Sequence, residues 1–528
     1  MARRPLPHRC GRRRGPGGHN CLRRLARGRD NRSTDVLALT SLLPELPTDR
    51  TRLLDNLGRV RRDVGPLTPE LSDALADHMN IRRGEVHEVV SFYSFLQQPV
   101  DVVRVCTGPV CDCMRQATGR ENHSHTVTEN HSHSQGVLEV ACVGHCDLAP
   151  VRMDGDEIVG GVTHRTNGFL LEPDDPRDPP ELPSDEVLRL LEEAGLTGMG
   201  GAGFPTFRKW DAVRREPGPR AVIVNADEGE PGTIKDRYVM ELRPHLLLEG
   251  LIAAMRFCEV DEAYIYLREE YATSRARLRD AIAERGLNVH VVVGAGSYVC
   301  GEESAMLESM EGRRGMPRLR PPFPAQRGYL GRPTLINNVE TLAHVARILR
   351  GEWSPGRLWS VSGTVKEPGC YEAPLDVSIR GLVEGYAGGF DGEVGAVVPG
   401  GAASGILPPA ALDAPLTRDG LSEWGSGPGS AAVQVFPSSY PVLRLLAETM
   451  RFFAEESCQK CTPCRIGNRA LHHVVEELEH GRAAMSREKV DEWLEAMAQT
   501  SICGLGQASP IPVRNVFSHW PQLMEALG

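Results

Sequence analysis

No stretch of this chain approaches the ~18 consecutive apolar residues that span a bilayer. Its most apolar stretches, such as residues 246–255, are too short and read as buried helix. Positive charge is in deficit. Sixty Lys and Arg face 70 Asp and Glu, a formal charge of −10 that argues against nucleic acid as the main partner. A disulfide framework is missing as well, because 14 cysteines in 528 residues is ordinary density. Eight of them fall in two tight clusters, while Cys10, Cys21, Cys113, Cys258, Cys300 and Cys370 are scattered. Clustered thiolates stay available to metal in a reducing compartment, so a cytoplasmic location and no direct membrane insertion are expected. Residues 1–34 lack any acid before Asp30 and have no apolar core behind their arginines. They read as a disordered basic tail and not as a secretory signal.

What remains is a composition with 41% hydrophobic and 25% charged residues, that of a soluble globular protein. The length exceeds one hydrophobic core and implies roughly three to five domains. The most telling feature lies near the C-terminus. Cys458, Cys461 and Cys464 form C-x2-C-x2-C, and Cys503 follows from the separate segment SICGLG. Four thiolates, one remote from the other three, match the ligand count of a [4Fe–4S] cluster. Structural zinc is the alternative, but zinc ribbons pair their cysteines two and two, and this spacing is three plus one.

Residues 35–100 carry helical periodicity, as in 52–57 and 71–77, with Thr68-Pro69 as a helix start. Strands are expected at 101–106 and 137–141, delivering Cys106 and Cys111, then Cys142 and Cys146, to two loops. Two cysteine pairs suit a [2Fe–2S] cluster, with zinc or free thiols as alternatives. Between them, residues 121–135 carry His123, His125, His131 and His133 in a polar, low-complexity insert. A proline-rich, acidic linker covers 173–184. From there to about 345, strands at 221–225, 263–267 and 289–293 alternate with helical stretches and predict a mostly parallel sheet. Short strands with Gly and Pro turns occupy 358–405, and helices return from Tyr440 onward.

Gly198, Gly200, Gly201 and Gly203 form a loop whose backbone N–H groups could approach a phosphate. The loop does not follow a strand and open a helix in dinucleotide-fold order, so a tight turn is an equal reading. Three further polar blocks share the domain: NADEGEPG from Asn225, YVCGEE from Tyr298, and TLINNVET from Thr334. Amides and carboxylates at strand ends suit hydrogen bonds to a flavin's ribityl chain and ring edge.

The strings GMGGAGFPTFRKW, NADEGEPGTIKDR, YVCGEESAMLESMEGRRGMPRLRPPFP, NNVETL and ESCQKCTPCRIG together resemble the NADH-binding flavoprotein subunit of respiratory complex I, a module shared with NAD-linked hydrogenases and formate dehydrogenases. The resemblance covers about 184–528. It implies an α/β multidomain fold with a Rossmann-like FMN domain (184–345), a ubiquitin-like β-grasp domain (356–435) and a helical [4Fe–4S] domain (440–528). It also implies that Asn225, Asp227, Tyr298, Gly301, Glu302, Asn337, Asn338 and Thr341 join the glycine loop in binding FMN. Phe204, Lys209, Glu230, Glu303 and Phe323 are expected to face NAD. Hydride transfer would need no side-chain acid or base, so no catalytic residue is expected. Met199 stands where the family commonly has arginine, so one cation near the flavin or a phosphate is expected to be missing.

VVSFYSF before Cys106 and CDLAP from Cys146 resemble the thioredoxin-like [2Fe–2S] subunit of the same complexes over about 40–170, with a helical bundle at 35–100 and the ferredoxin domain at 101–172. The expected activity is a diaphorase passing electrons between NAD(H), FMN and the two clusters. YLREEY, PGGAASGILP and GSAAV look most like the β subunit of NAD-dependent formate dehydrogenase. That makes the α subunit of a molybdenum-containing formate dehydrogenase the leading expected partner, with a small [2Fe–2S] subunit beside it. A hydrogenase diaphorase ranks second and a fused complex I subunit third. The chain has no molybdopterin or nickel site of its own, which assigns that chemistry to a partner. A non-redox scaffold is the rival of another class, and eight intact cysteine ligands argue against it.

Overall fold

The computed structural model describes residues 35, 37–100, 102–119, 137–159 and 165–527. The basic segment 1–34 and the histidine-rich stretch 121–135 lie outside the described residues.

The N-terminal bundle includes the helices Leu53–Asp63, Pro69–Met79 and Arg83–Phe92. Thr68 caps the second as expected, its hydroxyl accepting from the Leu71 amide at 3.3 Å with Pro69 in the first turn. Leu53, Leu57, Val60 and Val86 are fully buried, and their core runs on into Ile223, Tyr266 and Ile336 of the central sheet. The bundle therefore covers one face of that sheet.

Strands β1 (Val103–Cys106), β2 (Val137–Val140), β3 (Arg152–Asp154) and β4 (Glu157–Val159) form a sheet of order β2-β1-β3-β4. β1 and β2 are parallel and the other pairs antiparallel, as in a thioredoxin-like sheet. Cys106 ends β1 and Cys111 sits in the following helix, Pro109–Thr118, while Cys142 and Cys146 occupy the turn after β2.

The proline-rich linker has no regular element, yet it is pinned. The Asp174 carboxylate accepts from the amides of His245 at 3.1 Å and Leu246 at 3.4 Å, capping the helix Pro244–Cys258. Arg256 donates to the Pro179 carbonyl at 2.8 Å.

Strands β5 (Ala221–Ala226), β6 (Ala263–Leu267), β7 (Val289–Val293) and β8 (Thr334–Asn338) make an all-parallel sheet of order β7-β6-β5-β8. Parallel sheets are buried on both faces, which is why these strands read as short unbroken apolar runs. The helices Pro244–Cys258 and Val339–Leu349 pack beneath it. A third sheet, of order β10-β9-β12-β11, joins β9 (Gly356–Gly363), β10 (Gly369–Pro374), β11 (Val394–Val398) and β12 (Ala432–Pro437). β9 and β12 are parallel neighbours and the helix Ile379–Tyr386 follows the β9–β10 hairpin, as a β-grasp requires. The chain ends in helices Val442–Glu455, Thr462–Glu479, Arg487–Thr500, Gly504–Ala508 and Pro510–His519. Among the described residues, no helix is long and apolar enough to cross a membrane.

Two helical glycines test the packing, Gly250 beneath the central sheet and Gly385 in the helix of the β-grasp unit. A Cβ at Gly250 would lie 2.0 Å from the Leu342 carbonyl oxygen of the neighbouring helix, whereas one at Gly385 would meet nothing within 4 Å. Gly250→Ala should therefore destabilise by about 1–3 kcal/mol or more. Gly385→Ala should be neutral or stabilise by up to ~1 kcal/mol. Thermal unfolding of the two variants should rank them in that order.

Candidate functional site

The carboxyl ends of β5 and β8 and the glycine loop enclose a cavity of about 1100 Å³. That exceeds the ~300–1,000 Å³ of a typical single-ligand pocket. Gly198, Gly200, Gly203, Phe204, Lys209, Asn225, Gly301, Glu302, Glu303, Phe323, Asn337, Asn338 and Thr341 all line it. Residues far apart in sequence thus share one wall.

The loop is held by its own backbone. Gly198 N–H donates to the Phe204 carbonyl at 2.9 Å, and the Met199 amide donates to the Thr341 hydroxyl at 2.9 Å. Gly201 and Gly203 have φ of 112° and 65°, the left-handed region that favours glycine. Gly201 itself does not line the cavity.

Lys209, on the helix Thr206–Arg215 that the loop opens, pairs with Glu303 and donates to the Ile336 carbonyl at 3.1 Å. Glu302 caps the helix Glu303–Met310, accepting from the Ser304 and Ala305 amides at 3.0 and 2.9 Å, and pairs with Arg320. Asn337 accepts from the Trp210 indole at 3.0 Å, and Asn225 donates to the Gly301 carbonyl at 2.8 Å. Phe204 and Phe323 are each 50% exposed, which is unusual for large aromatics and places two open ring faces at the cavity.

The cation expected to be missing at Met199 is a different matter in three dimensions. The Met199 side chain is buried in the sheet core, and the cavity has Arg208, Lys209, Arg215 and Arg320 in its wall. The sequence motifs contain Arg208, Trp210 and Arg320, but no local signal in them assigns those residues to the site. Only their register on a helix and a loop, facing β8 and Glu302, reveals them.

Asp227 and Tyr298 line a second cavity of about 490 Å³, which Cys142 and Cys458 also touch. Tyr298 donates to Glu230, and the Glu230 carboxylate accepts from the Ala403 amide at 2.8 Å. Asp227 Oδ2 is buried without a hydrogen-bond partner among the described residues. Burial pushes the Asp227 carboxyl up to about 8. In the large cavity a glycine-lined wall, four cations and two open aromatic faces fit a phosphate-bearing flavin and a nicotinamide nucleotide, while the orphaned Asp227 oxygen belongs to the second cavity.

The cysteines fall into two sets. Cys458, Cys464 and Cys503 are buried and Cys461 is partly exposed. Gly506 lets the segment carrying Cys503 close on the others, since a Cβ there would come within 2.8 Å of the Cys464 Cβ and 2.5 Å of the Ser501 hydroxyl. Asn468 Nδ2 and the Ser457 hydroxyl both lie 3.3 Å from Cys464 Sγ. Burial pushes the free thiols of Cys464 and Cys503 up to about 12 and 11, so metal must displace their protons to bind. Cys503 also lines the large cavity. In the N-terminal set, Cys106 contacts Cys111 and Cys142, and Cys142 contacts Cys146. Cys113 packs instead in the core shared with the C-terminal helices. Among the described residues, no three His, Cys, Asp or Glu side chains converge as they stand on a point that could hold a metal ion. The donor sets, four thiolates each, are nonetheless those that iron–sulfur clusters use.

The raised Asp227 predicts a pH dependence in the cofactor-free protein. The folded state holds this proton more tightly than the unfolded chain, whose carboxyl has the ordinary value of 3.8. Stability contributed by the proton is complete below about 4, falls as pH rises, and is gone above about 8. Asp227→Asn should flatten that part of the stability–pH profile, measured by chemical denaturation across the window.

Three family models match the chain: a thioredoxin-like [2Fe–2S] ferredoxin at 39–172, the Nuo51 FMN-binding domain at 191–347, and the NADH-ubiquinone oxidoreductase-F iron–sulfur binding region at 444–527. An F subunit of the NADH-quinone oxidoreductase of Rhizobium meliloti is 42% identical over 370 residues, covering 64% of this chain and 88% of the relative. The F subunit of the same enzyme from Aquifex aeolicus is 38% identical, covering 65% and 85%. Among solved structures, an NAD+-reducing [NiFe]-hydrogenase in its H2-reduced state matches with a TM-score of 0.78 at 31% identity, covering 91% of this chain and 94% of that one.

These names correct the expected partner: they point to NADH-quinone oxidoreductase and NAD+-reducing hydrogenase assemblies, not to a molybdenum formate dehydrogenase α subunit. The physical reason lies in the strings that suggested it. YLREEY lies at an internal seam, with Arg268 and Tyr271 bonded to the Cys142 turn, and PGGAASGILP supplies the Ala403 amide that holds Glu230. Internal packing carries no information about a partner. The modules together make this an oxidoreductase subunit of the diaphorase type, working through FMN and iron–sulfur groups, and the chain belongs to the family of NADH-quinone oxidoreductase F subunits.

Proposed function

We propose that this chain is the diaphorase subunit of an NAD-linked complex of the NAD+-reducing hydrogenase kind, exchanging electrons between NAD(H) and a partner through FMN, a [4Fe–4S] cluster and a [2Fe–2S] cluster. The observation that carries this reading is that Cys503 stands in the wall of the same cavity as the glycine loop. FMN supplies the chemistry that reconciles hydride donors with single-electron acceptors.

The chain's own residues bind and orient. The glycines at 198, 200 and 203 in the cavity wall, with Gly201 turning the loop, let backbone N–H groups reach a phosphate, and the half-buried Lys209 is a cation in the same wall. Asn225, Asp227, Tyr298, Gly301, Glu302, Asn337, Asn338 and Thr341 hold the flavin. Phe204 and Phe323 offer stacking faces to the nicotinamide nucleotide, while Glu230 and Glu303 orient it. Cys458, Cys461, Cys464 and Cys503 hold the cubane, and Cys106, Cys111, Cys142 and Cys146 hold the second cluster. The functional units we assign are 35–100, 101–172, 184–345, 356–435 and 440–528.

The hydrogenase kind is favoured because the solved hydrogenase chain spans nearly this whole chain, N-terminal ferredoxin region included, whereas the quinone-oxidoreductase relatives reach 64–65% of it. A fused NADH-quinone oxidoreductase subunit is the second reading, favoured by the higher identity of those relatives. The complex purified with its native partners separates the two: flavin bleaching by hydrogen supports the first, and NADH-driven quinone reduction without any hydrogen response supports the second. In either complex, Cys461→Ser should keep FMN and NADH-driven ferricyanide reduction but lose transfer to the partner at least ~10-fold. Undiminished transfer would remove the cluster from the electron path.

A further inference from the structure

The turn carrying Cys142 and Cys146 is pressed against the flavin domain by one residue in particular. Arg268 follows β6 and is 6% exposed. Its Nη1 donates to the Glu228 carbonyl at 2.5 Å, within the loop that starts at Asn225, and its Nη2 donates to the Cys142 carbonyl at 3.0 Å. Glu270 answers the charge, its two oxygens 3.0 and 2.5 Å from the guanidinium. Tyr271 lies under the guanidinium, 5.1 Å from ring centre to Cζ, and donates to the Gly144 carbonyl at 3.3 Å and to Glu228 at 3.0 Å.

The cysteine turn is shaped to receive this contact. Gly144 has φ of 72°, and a Cβ there would come within 2.7 Å of the Tyr271 hydroxyl and 2.8 Å of Arg268 Nη1. A second cation at the seam, Arg237, is already matched by Asp147 at 2.6 Å. Two guanidiniums thus bond directly to ligand residues of the N-terminal set: Arg115, which donates to the Cys106 carbonyl at 2.6 Å from within the ferredoxin unit, and Arg268, which reaches the Cys142 carbonyl from the flavin domain and joins it to the loop that starts at Asn225.

We propose that Arg268, with Glu270 as its counter-ion, is a positioning residue that sets the reduction potential of the cluster held by Cys106, Cys111, Cys142 and Cys146. Such a cluster takes up one electron, supplied in turnover by NADH, and a buried cation stabilises the negative charge so added. Removing the cation makes the cluster harder to reduce; removing the counter-ion makes it easier. The same guanidinium ties the cluster's turn to the loop of the flavin site, so charge and distance are fixed together.

This inference rests on the [2Fe–2S] reading proposed above, and potentiometric EPR on the full-length, anaerobically reconstituted chain separates the two. Relative to wild type, the [2Fe–2S] midpoint should fall in Arg268→Gln and rise in Glu270→Gln. It should return towards wild type in the double variant, with Arg268→Lys shifted less than Arg268→Gln. If Arg268→Gln fails to assemble, Glu270→Gln still decides by the sign of its shift. Midpoints that stay put, or that move the same way in both single variants while the signal is intact, overturn the inference alone. A wild type with full flavin but no [2Fe–2S] signal after dithionite overturns the cluster reading and the inference with it.

Discussion

The eight residues from Asn225 to Gly232 constrain everything around them. Asn225 opens the loop at the large cavity, and Glu230 bonds both Tyr298 and the Ala403 amide next to the third sheet. Gln434 of β12 donates to the Pro231 carbonyl at 3.1 Å, and the Gly232 amide donates to Cys146 Sγ at 3.3 Å. A Cβ at Gly232 would strike Gln434 at 2.6 Å, so the close approach requires glycine. One loop therefore fixes the large cavity, the β-grasp sheet and the N-terminal cysteines relative to one another. Electron transfer needs such fixed separations. A rigid loop supplies them where a mobile hinge would not.

That rigidity comes with buried charge. Lys235 and Glu340 are essentially inaccessible, 3.3 Å apart, with Asp236 2.7 Å from the same ammonium. Burial alone would neutralise these groups, yet Lys235 holds the Glu340 carboxyl down at about 2 despite burial that works against it. Asn338 ties the network to the cavity by donating to Asp236 at 2.7 Å. Replacing such a network by apolar residues costs little stability in many proteins, so its presence is weak evidence of stabilisation. Here its geometric effect is plain: Asn338 is both a cavity residue and a helix cap, and Asp236 fixes its rotamer.

The parts of the fold that were legible in the sequence are those governed by local patterns. The strands at 263–267 and 289–293 match β6 and β7 residue for residue, because buried parallel strands are short apolar runs bounded by breakers. Thr68-Pro69 marks its helix because capping is local chemistry. Most of the proposed cofactor residues share a single cavity because they came as contiguous motifs. What was not legible is tertiary. The inward turn of Met199, the cations supplied by Arg208 and Arg320, and the linker acting as a helix cap through Asp174 all depend on which segments lie side by side. Periodicity cannot encode that. Nor could the strings that suggested a formate dehydrogenase, since they describe internal seams and not a surface a partner would meet.

The union of ferredoxin and flavin modules in one polypeptide has a further consequence for the seam. Were the modules separate, their docking would depend on concentration, and the contact would have to supply its own affinity. A covalent link makes docking intramolecular, and the link here is short and tied down at Asp174 and Pro179. The seam is then free to be polar: the Arg237–Asp147 and Arg268–Glu270 pairs and the Tyr271 hydroxyl at the Gly144 carbonyl sit where a self-assembling interface favours apolar anchors. Polar contacts cost more to desolvate than apolar ones, but they fix direction and charge beside the cysteine turn. A seam relieved of the need for affinity can be built for electrostatic control, and this one carries its charges within hydrogen-bond distance of the residues that would hold iron.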